Sequence, residues 1–371
     1  MNVDDGYTLV IDLSNICRDV RLTPIGSDAA WKRLQLLLDA IARLDAVDYS
    51  GYYLVADRTL RGRLDAADKR ELRSAEGNGY LELQEFADDR LVELAFGSSE
   101  LVNPLLVTND FLDDFRRMYP ELDDSLAVAW DVDGDGQPKP TLRPFGKRTH
   151  HRVSRKEEEG ELRRRRLLRR EIQEQAARWY YQCTDSRCAI AAFWPEHLEE
   201  LPKYDADTRQ FACPGCGSQL KRRAERQPAV QVIVYRGDRE MARLLVETGI
   251  EIGREDAQRC IGLGRFLNSQ DVAAVSRNHL RIFVDGERVE VEDLGSKNGT
   301  RMEPRVQGRP PTELESGKRV PWELRDAVVL PGAVRLERSG RRLPVTGELP
   351  LTSPSGESGL TATRLVTRER P

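Results

Sequence analysis

The apolar residues of this chain keep one rhythm in its first third and another in its last third, and no single sheet or bundle satisfies both. Residues 1–145 alternate short apolar runs with helix-spaced patterns. Segments 7–12 (YTLVID), 51–56 (GYYLVA) and 105–108 are β-rich and read as buried strands. Segment 31–44 has helical apolar spacing, 88–95 is a helix opened by acids, and 111–119 reads as a short helix. That alternation predicts a mostly parallel sheet with helices on its faces. Residues 228–340 switch to period two, in 230–235, 279–284, 288–292 and 334–336, which predicts an all-β domain. A chain of 371 residues has room for two or three such cores.

Two further segments lie between them. Residues 151–180 mix a run of arginines (163–166, then Arg169 and Arg170) with Glu157, Glu158, Glu159, Glu161, Glu171 and Glu174. They read as a solvated helical linker laced with Glu–Arg pairs in preference to a grip on RNA phosphates. Residues 181–225 hold four of the six cysteines in two close pairs, while Cys17 and Cys260 stand alone. Residues 341–371 are rich in Pro, Gly, Ser and Thr and are expected to be disordered.

Charged residues make up 32% of the chain and the hydrophobic set 39%, as in soluble globular proteins. A formal net charge of −4 argues against a uniformly basic nucleic-acid coat and leaves room for a local basic patch. No apolar run is long enough to span a bilayer, so no membrane partner is expected. The start, Met1-Asn2-Val3-Asp4-Asp5-Gly6, has no basic segment followed by an apolar one, so a cytoplasmic location with reduced thiols is expected.

The cysteine spacing, Cys183-x4-Cys188 and Cys213-x2-Cys216, can supply four thiolates in tetrahedral geometry, for which Zn²⁺ is the expected ion in a closed structural site. The second pair sits in a Cys-Pro-Gly-Cys-Gly knuckle whose glycines permit a tight turn. A unit this small buries little core, so the metal would supply much of its folding energy. The segment resembles a zinc ribbon. His197 reads as a surface residue. Lys221-Arg222-Arg223, just beyond, permits RNA contact, and the sequence does not choose between RNA and protein as this unit's partner.

In the first segment, Asp12 and Asp110 each follow a strand, and the start of a helix can bring Asp89 alongside. Asp114 lies one helical turn after Asp110 on the same face. In an open parallel sheet, ligands sit beyond the carboxyl ends of the strands. Carboxylates converging there without basic partners repel one another, and one or two Mg²⁺ or Mn²⁺ ions resolve the conflict. The pattern IDxSN…DDRLxELA…TND over residues 6–145 resembles the NYN branch of PIN-like nucleases, metal-dependent ribonucleases with a compact, Rossmann-like α/β fold. The resemblance implies that Asp12, Asp89, Asp110 and Asp114 are metal-site acids, with Asp88 a further one. It also implies that Asn15 places metal or substrate. Arg58, Arg61, Arg63, Lys69 and Arg70 read equally as RNA contacts or as a solvated face. The run Asp131-Val132-Asp133-Gly134-Asp135-Gly136 looks like the start of a calcium loop, but its closing acid would fall on Leu142, so a hairpin turn is expected.

In the last segment three loop motifs arrive in order: Glu251-Ile252-Gly253-Arg254, Ser276-Arg277-Asn278-His279, and Asp293-Leu294-Gly295-Ser296-Lys297-Asn298-Gly299-Thr300. Arg254 can offer a forked pair of donors to a phosphate, Ser276 a hydroxyl, Lys297 further charge, and Asn298 both donor and acceptor to a peptide backbone. The triple GR…SRNH…NGT resembles the forkhead-associated (FHA) family of phosphothreonine readers, β-sandwiches. The resemblance implies phosphate contact by Arg254 and Ser276, peptide contact by Arg277 and Asn298, and architectural roles for Gly253 and His279. A second pair, Gly264-Arg265, offers another candidate arginine. Arg254 is preferred because it closes a strand. The chain as a whole then reads as a metal-dependent ribonuclease targeted to a threonine-phosphorylated protein, and so indirectly dependent on a Ser/Thr kinase. The competing reading is a non-catalytic phosphothreonine adaptor. Thr346, Thr352, Thr361, Thr363 and Thr367 make the chain's own phosphorylated tail a further candidate ligand.

Overall fold

A computed structural model describes residues 7–97, 104–227, 229–247, 249–257, 260–286, 288–304 and 309–343. The five tail threonines lie outside the described residues. The chain divides into two compact units, Met1–Thr149 and His150–Pro371.

The first unit is built on six strands: β1 (Leu9–Asp12), β2 (Tyr52–Asp57), β3 (Leu81–Gln84), β4 (Leu105–Val107), β5 (Leu126–Val132) and β6 (Pro138–Pro144). Their order in the sheet is β3-β2-β1-β4-β5-β6. All neighbours are parallel except β5 and β6. The chain therefore builds outward from β1 through β2 to β3, then crosses to the other side of β1 for β4. That reversal opens a crevice at the carboxyl ends of β1 and β4.

Strand β1 is buried along its whole length, as expected of a parallel strand covered on both faces. Ile11 and Leu9 pack with Leu34, Leu37 and Ile41 of helix α2 (Lys32–Ile41), which follows α1 (Leu13–Arg18). Val10 and Val55 meet Leu91, Val92 and Ala95 on the other face. These belong to α5 (Ala87–Phe96), which comes after α3 (Leu60–Arg63) and α4 (Ala66–Gly77). Each such buried aliphatic side chain contributes about 1.5–3 kcal/mol through removal from water. The Asp133 run is a hairpin turn as expected. Its Oδ1 accepts the backbone N–H groups of Asp135 (3.0 Å) and Gln137 (2.9 Å).

One expected helix is absent. Residues 111–118 form irregular turns, because Leu112 adopts a left-handed φ of 50° and Asp110 Oδ1 accepts the Leu112 N–H at 3.1 Å. That side-chain bond replaces the helical ladder locally, so Asp110 and Asp114 do not share a helical face.

The second unit opens with α6 (His150–Arg164) and α7 (Arg170–Arg178). The solvated linker expected here is instead docked. Glu158 is buried, and its carboxylate accepts the backbone N–H groups of Arg342 (2.9 Å) and Leu343 (2.7 Å). Glu157 pairs with buried Arg243 at 3.0 Å, and Glu161 with Arg341 at 3.0 Å. Leu162, Leu167, Ala176 and Leu201 form a small apolar cluster beneath. The reason is that several acids of α6 meet partners from distant parts of the chain, which local Glu–Arg spacing does not reveal.

The cysteine segment pairs β7 (Trp179–Cys183) with β10 (Leu220–Glu225), antiparallel. Between them come α8 (Ala189–Phe193) and a hairpin of β8 (Lys203–Asp205) and β9 (Gln210–Ala212). The rest is a β-sandwich. One sheet holds β11 (Val230–Arg236), β12 (Arg239–Val246), β17 (Arg301–Pro304), β18 (Thr312–Glu313), β20 (Asp326–Leu330) and β21 (Val334–Arg338), in the order β12-β11-β21-β20-β17-β18. The other holds β13 (Gly249–Gly253), β14 (Cys260–Gly262), β15 (Leu280–Asp285), β16 (Arg288–Asp293) and β19 (Arg319–Pro321), in the order β14-β13-β15-β16-β19. Val232, Val234, Ile252, Leu280, Ile282, Val291, Trp322 and Leu336 fill the space between the sheets.

Candidate functional site

Three groups of side chains stand out. In the first unit the acids collect where the chain leaves its strands. Asp12 ends β1 and caps α1, its Oδ1 accepting the Asn15 N–H at 2.9 Å; Asn15 thus contributes its backbone here. The Thr108 hydroxyl donates to Asp12 Oδ2 at 3.3 Å and accepts the Asp110 N–H at 3.1 Å, so one buried threonine ties the two acids together. Burial raises the Asp12 carboxyl to about 7, helped by Asp57 and Asp110 and opposed by the Asn15 and Thr108 hydrogen bonds. Burial also drives Asp88 up to about 8, followed by the charges of Asp12, Asp110, Asp114 and Asp57.

This arrangement alters the expected acid set in two ways. Asp88, in the first turn of α5, faces the cluster; Asp89 is exposed, and its charge is felt by Tyr119. Asp57, at the end of β2, was missed. It accepts the Ala87 N–H at the start of α5 (3.3 Å) and pairs with Arg18 at 3.1 Å. An aspartate ending a strand looks like a turn residue in one dimension; strand order alone reveals its neighbours. Arg58, Arg61 and Arg63 are exposed, and Arg61 pairs with Glu76 at 2.6 Å.

The four cysteines do converge. Their sulfurs all lie within 4.8 Å of one another, with Cys183–Cys216 at 3.5 Å and Cys188–Cys213 at 3.7 Å. Zn–S bonds of about 2.3 Å in a tetrahedron require S···S edges of about 3.8 Å, whereas a disulfide would bring two sulfurs to about 2.0 Å. The thiols are free of disulfides, and three of the four are buried. Gly217 takes a φ of 75°, which favours glycine, while a Cβ on Gly215 would push against the tip of the Ile190 side chain at 2.7 Å. The acids of the first unit are not gathered this tightly.

At one end of the sandwich, three loops are locked together. Gly253 closes β13 so near the next loop that a Cβ would lie 1.7 Å from Arg277 O. Arg254 follows, half-buried, its backbone N–H donating to Ser276 O at 2.9 Å and its Nε to Glu255 at 3.2 Å. Arg265 is paired with Asp256 on a turn beside it. Ser276 Oγ accepts the Lys297 N–H at 3.0 Å, which leaves its own proton for a ligand. Asn298 Nδ2 donates to Ala274 O at 2.8 Å, leaving its carbonyl for a ligand. Arg277, Lys297 and Asn298 are exposed.

Two buried groups hold these loops. His279 accepts the Ser276 N–H at Nδ1 (3.1 Å), so Nε2 carries the proton and donates to Gly299 O (3.2 Å). Burial keeps this imidazole below its ordinary pKa. Burial would raise Asp293, but hydrogen bonds from Thr300, Ser296 and the Gly295 N–H outweigh it and hold the carboxyl below the usual range. Asp293 opens the third of the loop motifs, where residue order alone assigns it no role.

Residues 250–322 match the FHA domain family model. No curated protein matches the chain. Similar solved structures include the FHA domain of an Arabidopsis thaliana hypothetical protein, at 21% identity over 35% of this chain and 92% of that one, TM-score 0.24. Another is a domain described by its phosphothreonine-dependent FHA interactions, at 24% identity over 31% of this chain and 99% of that one, TM-score 0.22. The yeast Pml1 splicing factor is a third, at 18% identity over 30% of this chain and 78% of that one, TM-score 0.23. Residues 250–322 of this chain are an FHA domain.

Proposed function

We propose that this chain is a metal-dependent ribonuclease delivered to threonine-phosphorylated proteins by its FHA domain. The observation that carries the catalytic half is the meeting of Asp12, Asp57, Asp88, Asp110 and Asp114 at the reversal point of the sheet, with Asp88 pushed up to about 8. Such mutual repulsion is what a bound divalent cation relieves, and the all-oxygen donor set suits Mg²⁺ or Mn²⁺. Asp12, Asp88 and Asp110 would hold it, with Asp57 and Asp114 beside them. When bound, such an ion activates water and stabilises in-line displacement at phosphorus. The chain's own part is orientation. Thr108 aims Asp12 and Asp110, and Asp57 fixes the start of α5 so that Asp88 faces inward. RNA as the substrate follows from the resemblance to NYN nucleases.

The targeting half rests on Arg254, Ser276 and Asn298 standing on one rigid loop cluster, with Arg277 and Lys297 exposed at its rim. Arg254 and the Ser276 hydroxyl would take the phosphate, and the Asn298 carbonyl the peptide backbone. Zn²⁺ would sit among the four cysteines, as their separations and donor type suit it.

The adaptor reading has one observation in its favour. The acids are less tightly gathered than the cysteines, and Asp12 already serves as a helix cap. Cleavage of single-stranded RNA with Mn²⁺ separates the two readings. The ribonuclease reading expects Asp12→Asn and Asp88→Asn to abolish cleavage while Asp89→Asn retains it. No cleavage of any RNA by the unaltered chain leaves the adaptor. Cleavage surviving both inactivating substitutions overturns the site.

A further inference from the structure

The second unit contains a cavity of about 490 Å³ where α7, β9 and β10 meet, away from the FHA loops in sequence and built from different residues. Its lining includes three arginines, Arg169, Arg209 and Arg222, and three rings, Tyr181, Tyr204 and Phe211. A single carboxylate, Glu171, shares it. None of the three arginines forms an ion pair among the described residues. Elsewhere in the second unit, by contrast, Arg165, Arg243 and Arg341 are paired with acids.

The rings line the cavity at steep angles to one another. Phe211 stands between Tyr181, at 5.4 Å and 57°, and Tyr204, at 5.8 Å and 66°. Tyr181 is buried and anchored by its hydroxyl to Gln175 O at 3.1 Å, whereas Tyr204 and Phe211 are half-buried and present apolar faces. Arg209 reaches the lining from the turn between β8 and β9, where it holds a left-handed φ of 56°. A long side chain rarely adopts that conformation. Asp205 Oδ1 fixes the turn by accepting the Asp207 N–H at 2.9 Å. Gln210 and Gln219, bonded to each other at 2.9 Å, add amide edges beside the rings.

A ligand matched to this lining has a flat unsaturated face, polar edges and more than one negative charge. We infer that the cavity binds single-stranded nucleic acid. One base lies against the face of Tyr204 with Phe211 inclined beside it, and the phosphates on either side meet Arg169, Arg209 and Arg222. Base–aromatic stacking combined with a cationic track is the physical basis of strand binding without strict sequence preference, and a duplex, whose base faces are already stacked, does not offer the same contact. The volume suits a single nucleotide unit. The inference does not depend on whether the first unit cleaves RNA.

The test uses the full-length chain without added Mg²⁺ or Mn²⁺ and fluorescein-labelled 12-mers of uridine RNA, thymidine DNA and a matched duplex, read by fluorescence anisotropy. Both single strands are expected to bind and the duplex at least about tenfold less tightly; a preference between the two strands identifies the source. Arg209→Glu with Arg222→Glu should weaken strand binding at least about tenfold and flatten its salt dependence. Tyr204→Ala should weaken it about fivefold with the salt dependence kept. Unchanged backbone hydrogen exchange across β7 and β10 reports an intact cysteine unit in these variants. On the unaltered chain, a strand carrying 5-iodouridine should photo-cross-link to Tyr204 or Phe211. The proposal is overturned if neither strand binds, if the double charge reversal binds like the parent, or if cross-links fall only within residues 1–149.

Discussion

His279 takes the backbone N–H of Ser276 onto its Nδ1 at 3.1 Å, and this bond sets the tautomer that joins two loops of the FHA domain. With Nδ1 accepting, Nε2 must donate, and Gly299 O receives it. The serine that would contact phosphate and the turn beside Asn298 are thereby held by one buried ring, with no exposed surface of its own. His279→Ala leaves an orphan donor and an orphan acceptor and removes buried packing. It should destabilise the domain by about 2–4 kcal/mol, measured by urea unfolding. Peptide affinity should fall in parallel, although the imidazole is buried beneath the loops. A stability within 0.5 kcal/mol or so of the parent would show that the ring is not the tie.

Arg254 and Arg265 separate cleanly in the structure. Arg265 is held by Asp256, while Arg254 extends from the end of β13 with one exposed partner, Glu255, that a phosphate can outcompete. Arg254→Ala should reduce affinity for a phosphothreonine peptide by at least about tenfold, as loss of a charge-assisted fork does. Arg265→Ala should change it less than about threefold. Isothermal titration with phosphorylated and plain peptides decides, and the reverse ranking would reassign the phosphate contact.

The acid cluster makes the first unit sensitive to pH in an unusual direction. In the unfolded chain Asp12 and Asp88 titrate near 3.9. In the folded chain they titrate at about 7 and about 8. Between these limits the folded state holds protons that the unfolded state has lost, so stability falls as pH rises from about 4 to about 8. Without divalent cations, the melting temperature of the first unit should drop on the order of 5 °C from pH 5.5 to pH 8. Asp88→Asn should remove much of the drop, and Mn²⁺ should reverse it at pH 8. A parent and variant with identical pH profiles would rule out the coupling.

Removing the metal proposed for the cysteine unit should unfold that unit. The chain as purified should carry one zinc by plasma mass spectrometry. A strong chelator or Cys213→Ser should expose the cluster of Tyr181, Leu198 and Cys213, seen as faster backbone hydrogen exchange across β7 and β10. The FHA domain should still bind its peptide. Unchanged exchange after complete zinc loss would mean that packing alone holds the segment.

Much of this architecture was legible in one dimension. The two hydrophobic periods marked the α/β sheet and the sandwich, because burial on both faces of a parallel strand and on one face of an antiparallel strand leave different traces in the residue order. The order of Gly253-Arg254, Ser276 through His279 and Asn298-Gly299 marked the FHA domain, and the 183/188 and 213/216 spacing marked a four-sulfur site. What the order of residues could not supply was rotation and long-range pairing. Asp88 and Asp89 differ by about 100° around a helix. The phase was decided by Leu91, Val92 and Ala95 packing on the sheet and by Asp57 holding the helix start. Asp57 entered the cluster through strand order alone. Glu158 reads as one more solvated acid, yet its partners are backbone N–H groups at Arg342 and Leu343, which carry no side-chain signature in the sequence. Local pattern determined which elements form. Their packing, which only the folded chain brings about, decided which polar groups meet.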